Sequence, residues 1–256
     1  MCETCGCGVT AQAPATTHTI SVMRDILEQN VHQASHNRAH FDAHGVLAVN
    51  LMSAPGSGKT ALLERTIDEL AGRFKCAVIE GDLETDNDAR RIRRHGVPAI
   101  QITTGSTCHL DAAMVHDALH RLPLEGLDVL FVENVGNLVC PASFALGTHA
   151  DVALVSVPEG DDKPAKYPVM FRGAALVLVS KVDLLPVFEE FSVASVTAQV
   201  RALANPAPVL AVSSKTGLGI GAWIGWLAEE VATRRAHRRG AAGPAVADAT
   251  TLAELP

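Results

Sequence analysis

Short apolar runs alternate along the chain with longer amphipathic segments, and this alternation is the main guide to the fold. The runs end at Gly, Pro, Ser or acidic residues, as the buried strands of a parallel sheet do. The segments between them carry apolar residues at helical spacing. We therefore predict an α/β fold with a mainly parallel sheet flanked by helices. The predicted strands are 46–52, 76–79, 97–103, 127–132, 151–157, 174–179 and 209–212.

The first predicted strand leads through a glycine-rich loop into a helix, in the stretch VLAVNLMSAPGSGKT. This order is the context of a P-loop, where backbone N–H groups and a helix N-terminus converge on nucleotide phosphates. Lys59 would supply a cation to the β/γ oxygens, and the Thr60 hydroxyl would ligate Mg²⁺. Ser53 replaces the usual first glycine, at little expected cost because backbone amides do most of the binding. The predicted phosphate-binding residues are Ser53, Gly56, Ser57, Gly58, Lys59 and Thr60.

Acidic residues follow the second and fourth predicted strands, on the sheet edge that carries the phosphate loop. Asp82 is the first candidate for holding a Mg²⁺-linked water, and Asp86 is a second candidate, for orienting the attacking water. Glu133 is placed to hold magnesium through water. Gly136, three residues later, gives an ExxG switch that presents a backbone amide to the γ-phosphate.

Two later segments predict recognition of guanine. In SKVD, the carboxylate of Asp183 matches the N1–H and N2–H₂ donors of guanine, whereas adenine offers an acceptor at N1. Ser180 stands where the usual pattern has Asn, which predicts weaker binding of the base. SSKTG, residues 213–217, resembles the loop whose backbone supports the guanine oxygen. The predicted base-binding residues are Lys181, Asp183, Ser213 and Lys215.

Composition narrows the partners and the compartment. A net charge of −7 argues against general nucleic-acid binding. No apolar stretch is long enough to span a bilayer, and the chain does not open with an apolar leader, so we expect a soluble cytoplasmic protein without a membrane partner. Thiols stay reduced in that compartment, so the six cysteines are interpreted as metal ligands before disulfides.

Three of these cysteines, Cys2, Cys5 and Cys7, lie in a segment of Gly, Thr, Ala and Pro that is unlikely to pack. Three thiols this close together can bind one soft or borderline metal ion. Square-planar sulfur and nitrogen ligation would suit Ni²⁺, and tetrahedral ligation would suit Zn²⁺; the spacing does not decide between them. The alternative is a flexible leader without a ligand.

A second set of candidate ligands is Cys108, His109 and Cys140. We expect Cys108 and His109 at the frayed first turn of a helix, where both could reach one ion. Cys140 follows Gly136 in the predicted switch segment. If the three bind one metal, its geometry depends on a loop that hydrolysis rearranges, which would couple metal affinity to the nucleotide state.

Histidines also recur at every fourth position from His32 to His44, in a predicted helix that starts at Ser21. This histidine stripe (His32, His36, His40 and His44) lies along one helix face, where neighbouring rings could share a metal. The alternative is a polar exposed face without a ligand role. His116 and His120 are expected to be exposed.

With these segments in view, the chain resembles the HypB family, the nickel-inserting GTPases of hydrogenase maturation within the dimerising P-loop GTPases. The resemblance runs from the CETCGC leader past residue 212. It is carried by LMSAPGSGKT, EGDLETDNDARRI, TTGSTCHLD, ENVGNLVCPA, EGDDKPAKYP and KVDLLP.

The resemblance implies a seven-stranded α/β P-loop NTPase fold and Mg²⁺-dependent hydrolysis of GTP to GDP. Together with composition and patterning, it gives four predicted parts: a flexible metal-binding leader (1–20), a histidine-striped helix (21–44), a GTPase domain (45–237) and, from composition alone, a disordered tail (238–256). It also implies a homodimer promoted by GTP, a companion nickel-insertion accessory protein and a hydrogenase large-subunit precursor as partners.

The resemblance also assigns the metal sites. The leader cysteines match a tight nickel motif of the family, and Cys108, His109 and Cys140 match a site for nickel or zinc near the dimer interface. Lys163 or Lys166 would reach the partner's nucleotide. Two alternatives stand beside nickel delivery to [NiFe]-hydrogenase precursors: a nickel-storage or zinc-buffering protein, and a GTPase serving another metalloenzyme such as urease. Urease-type relatives are expected to carry Cys-Pro-His, whereas Ala142 follows Cys140 and Pro141 here.

Overall fold

A computed structural model describes residues 16–84 and 87–241. The leader cysteines Cys2, Cys5 and Cys7, the candidate Asp86 and residues 242–256 lie outside this part of the chain. Among the helices of the described ranges, none has both the length and the apolar character needed to cross a membrane.

Seven parallel strands form one sheet, in the order β3-β2-β4-β1-β5-β6-β7. The predicted fold class is confirmed, and each predicted strand has its counterpart within a few residues. The strands are β1 (Leu47–Ser53), β2 (Cys76–Asp82), β3 (Ala99–Thr103), β4 (Val129–Glu133), β5 (Ala150–Ser156), β6 (Leu176–Ser180) and β7 (Val209–Ala211).

Helices connect the strands and cover both faces of the sheet. They are α1 (Thr16–His44), α2 (Lys59–Leu70), α3 (Asn87–Arg93), α4 (Ala112–Leu119), α5 (Lys163–Lys166), α6 (Pro168–Gly173), α7 (Val193–Ala202) and α8 (Ile220–Ala241). Short 3₁₀ turns form at Cys140–Ser143, Val157–Glu159 and Val182–Leu184.

Three helix boundaries differ from the sequence prediction. Helix α1 begins at Thr16, before Ser21, because a possible capping residue does not by itself start a helix. Helix α8 continues to Ala241, past the predicted start of the tail at 238, since Arg and Ala in this segment favour helix. Helix α4 starts only after Asp111, whose side chain accepts a hydrogen bond from the Met114 N–H.

The sheet is buried on both faces, which explains its continuous apolar strands. All residues of β1 are buried. Strands β2, β3 and β4 lie on one side of β1 and strands β5, β6 and β7 on the other, so the order in which strands are added to the sheet reverses at β1. In open parallel sheets, ligands bind at the carboxyl edge beside such a reversal. The phosphate loop leaves β1 at this edge.

Helix α1 is attached to α4 and to the loop before β5 by buried polar contacts. The Asn37 amide donates to the carbonyl oxygens of Ala112 and Leu146, at 2.8 and 3.1 Å. Gly147 lets α1 approach closely: its φ is +86°, and a Cβ there would lie 2.2 Å from the carbonyl oxygen of Ala34. A larger residue at 147 would force α1 away from this loop.

Gly147→Ala should destabilise the fold by about 2 to 4 kcal/mol, because left-handed backbone strain adds to overpacking against α1. Gly72→Ala is the matched control, since Gly72 has a φ of +75° with no atom within 4 Å of the added Cβ. This control should lose only about 1 kcal/mol, from backbone strain alone. Urea denaturation measures both, and equal losses would contradict the packing argument.

Candidate functional site

The phosphate loop curves around an open cleft at the carboxyl edge of β1. Gly56 and Gly58 have φ values of +77° and +93°, which only glycine adopts without strain. Gly58 is the N-cap of α2, so the first turn of that helix opens at the loop. Four predicted site residues, Lys59, Asp82, Glu133 and Gly136, line the same cleft.

Lys59 is held inside the loop by the residue that departs from the usual motif. Its Nζ donates to the Ser53 Oγ at 2.9 Å, and both side chains are buried. Burial lowers the pKa of Lys59, while the carboxyl group of Glu133 opposes that shift. Ser53 therefore fits the turn and also positions the amine that the motif supplies for phosphate.

Two buried carboxyl groups face each other beneath the loop. Glu80 and Glu133 are register partners on β2 and β4, and a side-chain hydrogen bond joins them. Burial is the main cause that raises the pKa of Glu80, and the neighbouring Glu133 raises it further. Burial also raises the pKa of Glu133, although Lys59 favours its charged form. The pair therefore retains a shared proton well above the pH at which a glutamate side chain usually loses it.

These oxygens form a donor set suited to a hard cation. The Thr60 hydroxyl donates to Glu133 Oε1 at 2.8 Å, while Glu133 Oε2 and Glu80 Oε1 are buried without a hydrogen-bond partner. Oxygen ligands of this kind fit Mg²⁺. Asp82 lines the cleft nearby. Sequence analysis gave Glu80 no role; the available signal was an acidic residue directly after the apolar run 76–79 of the second predicted strand.

Gly136 brings the segment after β4 against the phosphate loop. A Cβ at Gly136 would lie 2.9 Å from Pro55 Cα and 3.0 Å from Pro55 N, so only glycine permits this approach. Because both neighbouring atoms belong to the backbone, a larger residue could not be accommodated by a change of rotamer. The position predicted to present an amide to the γ-phosphate thus touches the loop itself.

A second cleft continues from the phosphate loop towards the end of β6 and contains the predicted base-binding residues. Asp183 and Lys215 line it, and the Ser213 hydroxyl donates to Asp183 Oδ1 at 2.6 Å. Lys181 lines both clefts, with its Nζ donating to the Gly56 carbonyl at 2.6 Å. Ser180, which replaces the usual Asn, donates to the Ser57 carbonyl at 2.7 Å and so ties β6 to the phosphate loop.

Cys108, His109 and Cys140 form a compact candidate metal site. Their ligand atoms all lie within 4.8 Å of one another, and the two sulfur atoms are 3.1 Å apart. Cys108 and His109 lie in the loop before α4, which corrects their predicted place in a first helical turn. A loop allows neighbouring side chains to converge, whereas adjacent positions on a helix point apart.

The protonation of this group bears on metal binding. The hydrogen bond with Cys108 raises the pKa of Cys140, so an ion bound there must displace the proton of that thiol. Burial lowers the pKa of His109, whose ring stacks on Phe144 at 4.0 Å and whose buried Nδ1 has no partner. A neutral imidazole and two closely spaced thiols are typical ligands for zinc or nickel.

Two asparagines that sequence analysis did not select connect this group to β4. Asn134 Oδ1 accepts from the backbone N–H of Leu110 at 3.1 Å, and Asn137 Nδ2 donates to the Cys108 carbonyl at 3.3 Å. Both asparagines lie between Glu133 and Cys140. The loop with Cys108 and the segment with Cys140 are therefore fastened to each other by side-chain amides.

The chain is similar in sequence to known proteins of one family. A family profile described as CobW/HypB/UreG, nucleotide-binding domain, matches residues 47–211. The hydrogenase maturation factor HypB of Azotobacter vinelandii is 50% identical over 232 residues, which cover 87% of this chain and 76% of that protein. The HypB of Escherichia coli K12 is 49% identical over 220 residues, covering 86% and 76%. The chain belongs to the HypB family.

A solved HypB structure agrees with this assignment. The crystal structure of HypB from Helicobacter pylori in complex with nickel matches with a TM-score of 0.77 and 43% identity, covering 80% of this chain and 96% of that one. The resemblance to HypB proteins that the motifs predicted is confirmed.

Three other residues singled out in this HypB sequence, Cys76, Lys163 and Lys166, have local environments of their own. Cys76 is buried in β2, and burial raises its pKa to about 12. Lys163 donates to the carbonyl of Glu159 at 2.5 Å, and the exposed Lys166 pairs with Asp162 at 2.5 Å. Both lysines thus have partners within their own chain.

Glu159 is a further residue that sequence analysis missed. Its Oε1 accepts from the Ser57 hydroxyl of the phosphate loop at 2.6 Å, and its Oε2 accepts from the Ser156 N–H at 3.0 Å. It therefore links the end of β5 to the loop. Its position in the EGDDKPAKYP motif directly after β5 was the available signal.

Glu80→Gln should reduce a pH-dependent loss of stability in the protein free of metal and nucleotide. The native state keeps the shared proton at a pH where an unfolded glutamate has released it, so the free energy of unfolding falls as pH rises through the raised pKa. Glutamine keeps a donor but does not titrate, so the fall should be smaller in the variant. Urea denaturation in EDTA at several values between about pH 5 and pH 8 measures it.

The control is Glu190→Gln, at an exposed position. It should keep the wild-type dependence of unfolding free energy on pH. The same dependence in wild type and Glu80→Gln would show that the pair holds no extra proton.

Proposed function

We propose that this protein is a slow, Mg²⁺-dependent GTP hydrolase that couples nucleotide turnover to delivery of nickel into [NiFe]-hydrogenase precursors. The observation that carries the proposal is the course of one segment, residues 133–140. It begins at a carboxylate bonded to Thr60, passes against the phosphate loop at Gly136, and ends at a thiol 3.1 Å from Cys108.

In this proposal, the loop from Ser53 to Thr60 binds the phosphates through its amides, and Lys59 leaves Ser53 for the β/γ oxygens. Thr60 and Glu133, with Asp82 and Glu80 nearby, would hold Mg²⁺, which supplies positive charge to the phosphate oxygens. Charge on the γ-phosphate is then met by Lys59 and by the amide of Gly136. Asp86, outside the described residues, is the proposed group for orienting the attacking water.

Recognition of guanine is assigned to the second cleft. Asp183 accepts from the base, and the Ser213 hydroxyl bonded to it fixes its orientation. Lys181 supplies an aliphatic stem against the ring, and Lys215 lies at the cleft wall. The hydrogen bond from Ser180 to the phosphate loop supports a role in keeping the two clefts aligned, which offsets the missing asparagine.

Nickel is the cargo, and Cys108, His109 and Cys140 are the residues proposed to hold it before transfer. Zinc shares this ligand chemistry and is the expected competitor. A change at the γ-phosphate acts on Gly136 and then on Cys140, and this alters the distance between the two sulfurs. Loss of the γ-phosphate on hydrolysis would thereby change the affinity for the ion.

The proposed partners follow from the same cycle. A homodimer promoted by GTP would bring the two nucleotide sites together, with the exposed Lys166 as the lysine better placed to leave its own chain. A nickel-insertion accessory protein and the hydrogenase large-subunit precursor would receive the ion. The leader thiols of Cys2, Cys5 and Cys7 are proposed as a second, tighter nickel site.

Lys59→Ala should lower the turnover number for GTP by about 100-fold or more, because a buried cation at the phosphates is lost. Nickel bound at the thiol site should stay at the wild-type amount, since Lys59 contacts none of its ligands. Phosphate release under saturating GTP and Mg²⁺ measures the first effect, and equilibrium dialysis with Ni²⁺ measures the second.

Lys75→Ala is the matched control, an exposed lysine just before β2, at the edge of the sheet away from the phosphate loop. It should leave both measurements unchanged. A wild-type protein without GTP turnover would favour the storage alternative, and a fully active Lys59→Ala would contradict the role given to the phosphate loop.

A further inference from the structure

Four histidines from two helices meet on the face of the protein formed by α1 and α4. We call His40, His44, His116 and His120 the histidine cluster. Ring centroids are 4.7 Å apart for His116 and His120, 5.0 Å for His40 and His44, and 6.3 Å for His40 and His120. The histidine stripe therefore has two parts: His40 and His44 belong to this cluster beside α4, whereas His32 and His36 do not. His116 is half-buried, which corrects its predicted exposure.

The hydrogen bonds of Asn37 determine which nitrogen of His116 carries the proton. Asn37 is fully buried, and its amide nitrogen donates to two carbonyl oxygens, so its Oδ1 is an acceptor. His116 Nδ1 lies 3.1 Å from that oxygen and must donate to it. Nε2 of His116 therefore carries a lone pair, which accepts a hydrogen bond from His120 Nε2 at 3.2 Å. Metal-binding histidines are commonly oriented by a bond of this kind on the other ring nitrogen.

The two histidines of α1 also offer ring nitrogens that could bind a metal. His44 Nδ1 lies 2.9 Å from the carbonyl oxygen of His40, so it donates and leaves its Nε2 unprotonated. His40 Nδ1 is buried and has no hydrogen-bond partner. Burial, followed by the neighbouring His44, His120 and His116, lowers the pKa of His40 and favours its neutral ring.

We propose that the histidine cluster binds a divalent transition-metal ion, of the Ni²⁺ or Zn²⁺ class, through imidazole nitrogens contributed by both helices. A hydrogen bond joins Nε2 of His116 and Nε2 of His120 at 3.2 Å, and a bound ion would take the place of the proton between them. Two imidazole nitrogens on one tetrahedral ion are about 3.3 Å apart, given metal–nitrogen distances of about 2.0 to 2.1 Å. This pair forms the preorganised half of the site.

The second half comes from α1. A change of side-chain rotamer at His40, whose ring is 6.3 Å from that of His120, supplies a third nitrogen. The resulting site contains no sulfur and is separate from Cys108, His109 and Cys140. It does not depend on GTP hydrolysis, and binding of an ion would join α1 to α4.

His32 and His36 provide an internal comparison. Their rings are 4.7 Å apart on α1, the same separation as in the His116 and His120 pair, and both are exposed. In the described ranges, neither makes a ring contact or a side-chain hydrogen bond to another helix. His32 and His36 therefore have the same ring spacing as His116 and His120, but no second helix faces them and no buried asparagine orients them.

The test is Ni²⁺ binding to the full-length chain without nucleotide, counted by equilibrium dialysis and elemental analysis. His116→Gln/His120→Gln should bind one equivalent fewer than wild type. His120→Gln alone should weaken binding of that equivalent by about 100-fold, as loss of a ligand does. The single variant guards against misfolding, because His120 is exposed and makes no contact with Asn37 in the described structure.

His32→Gln/His36→Gln is the matched control and should bind the wild-type amount. A second measurement is the thermal midpoint, which Ni²⁺ should raise less in His120→Gln than in this control. Equal nickel binding by wild type, His120→Gln and the double variant would overturn the proposal. Loss of the equivalent only from the control variant would place the ion on the exposed stripe instead.

Discussion

The structure depends on the close approach of the segment after β4 to the phosphate loop. Gly136 lies against the Pro55 backbone, where a Cβ would clash, and Glu133 accepts from Thr60 at its start. Asn134 and Asn137 then bind the loop that carries Cys108. These contacts form one continuous connection from the phosphate loop to the thiols. In the proposed cycle, a shift at one end would be passed along the segment to the other.

Burial determines which groups beside the phosphate loop are charged. Lys59, Glu80 and Glu133 are almost completely removed from water, so the charge of each depends on the others. Without a cation the two carboxyl groups share a proton, and the amine rests on Ser53. A triphosphate with its metal would replace both arrangements with charge pairs in a region of low dielectric constant, where such pairs are strong.

Sequence reasoning predicted the fold correctly and proposed candidate site residues, but it could not supply the contacts between segments distant in the chain. The glycine loop and the apolar strands are patterns of neighbouring residues, so the sequence alone predicts them. The pairing of Glu80 with Glu133 and the bond from Asn134 to Leu110 depend on strand order and loop course. The division of the histidine stripe likewise required the position of α4. The ends of helices α1 and α8 differ from the prediction because neither a possible cap at Ser21 nor the composition of the tail fixes where a helix begins or ends.

The most direct test is the affinity of the thiol site for Ni²⁺ with GDP and with a non-hydrolysable GTP analogue, each with Mg²⁺. The leader should be silenced by Cys2→Ser, Cys5→Ser and Cys7→Ser, so that it does not mask the weaker site. Coupling through residues 133–140 predicts dissociation constants that differ by about fivefold or more between the two nucleotides. Removing Cys140 should abolish that difference. Equal affinities in both nucleotide states would contradict a shared segment that links phosphate to thiol.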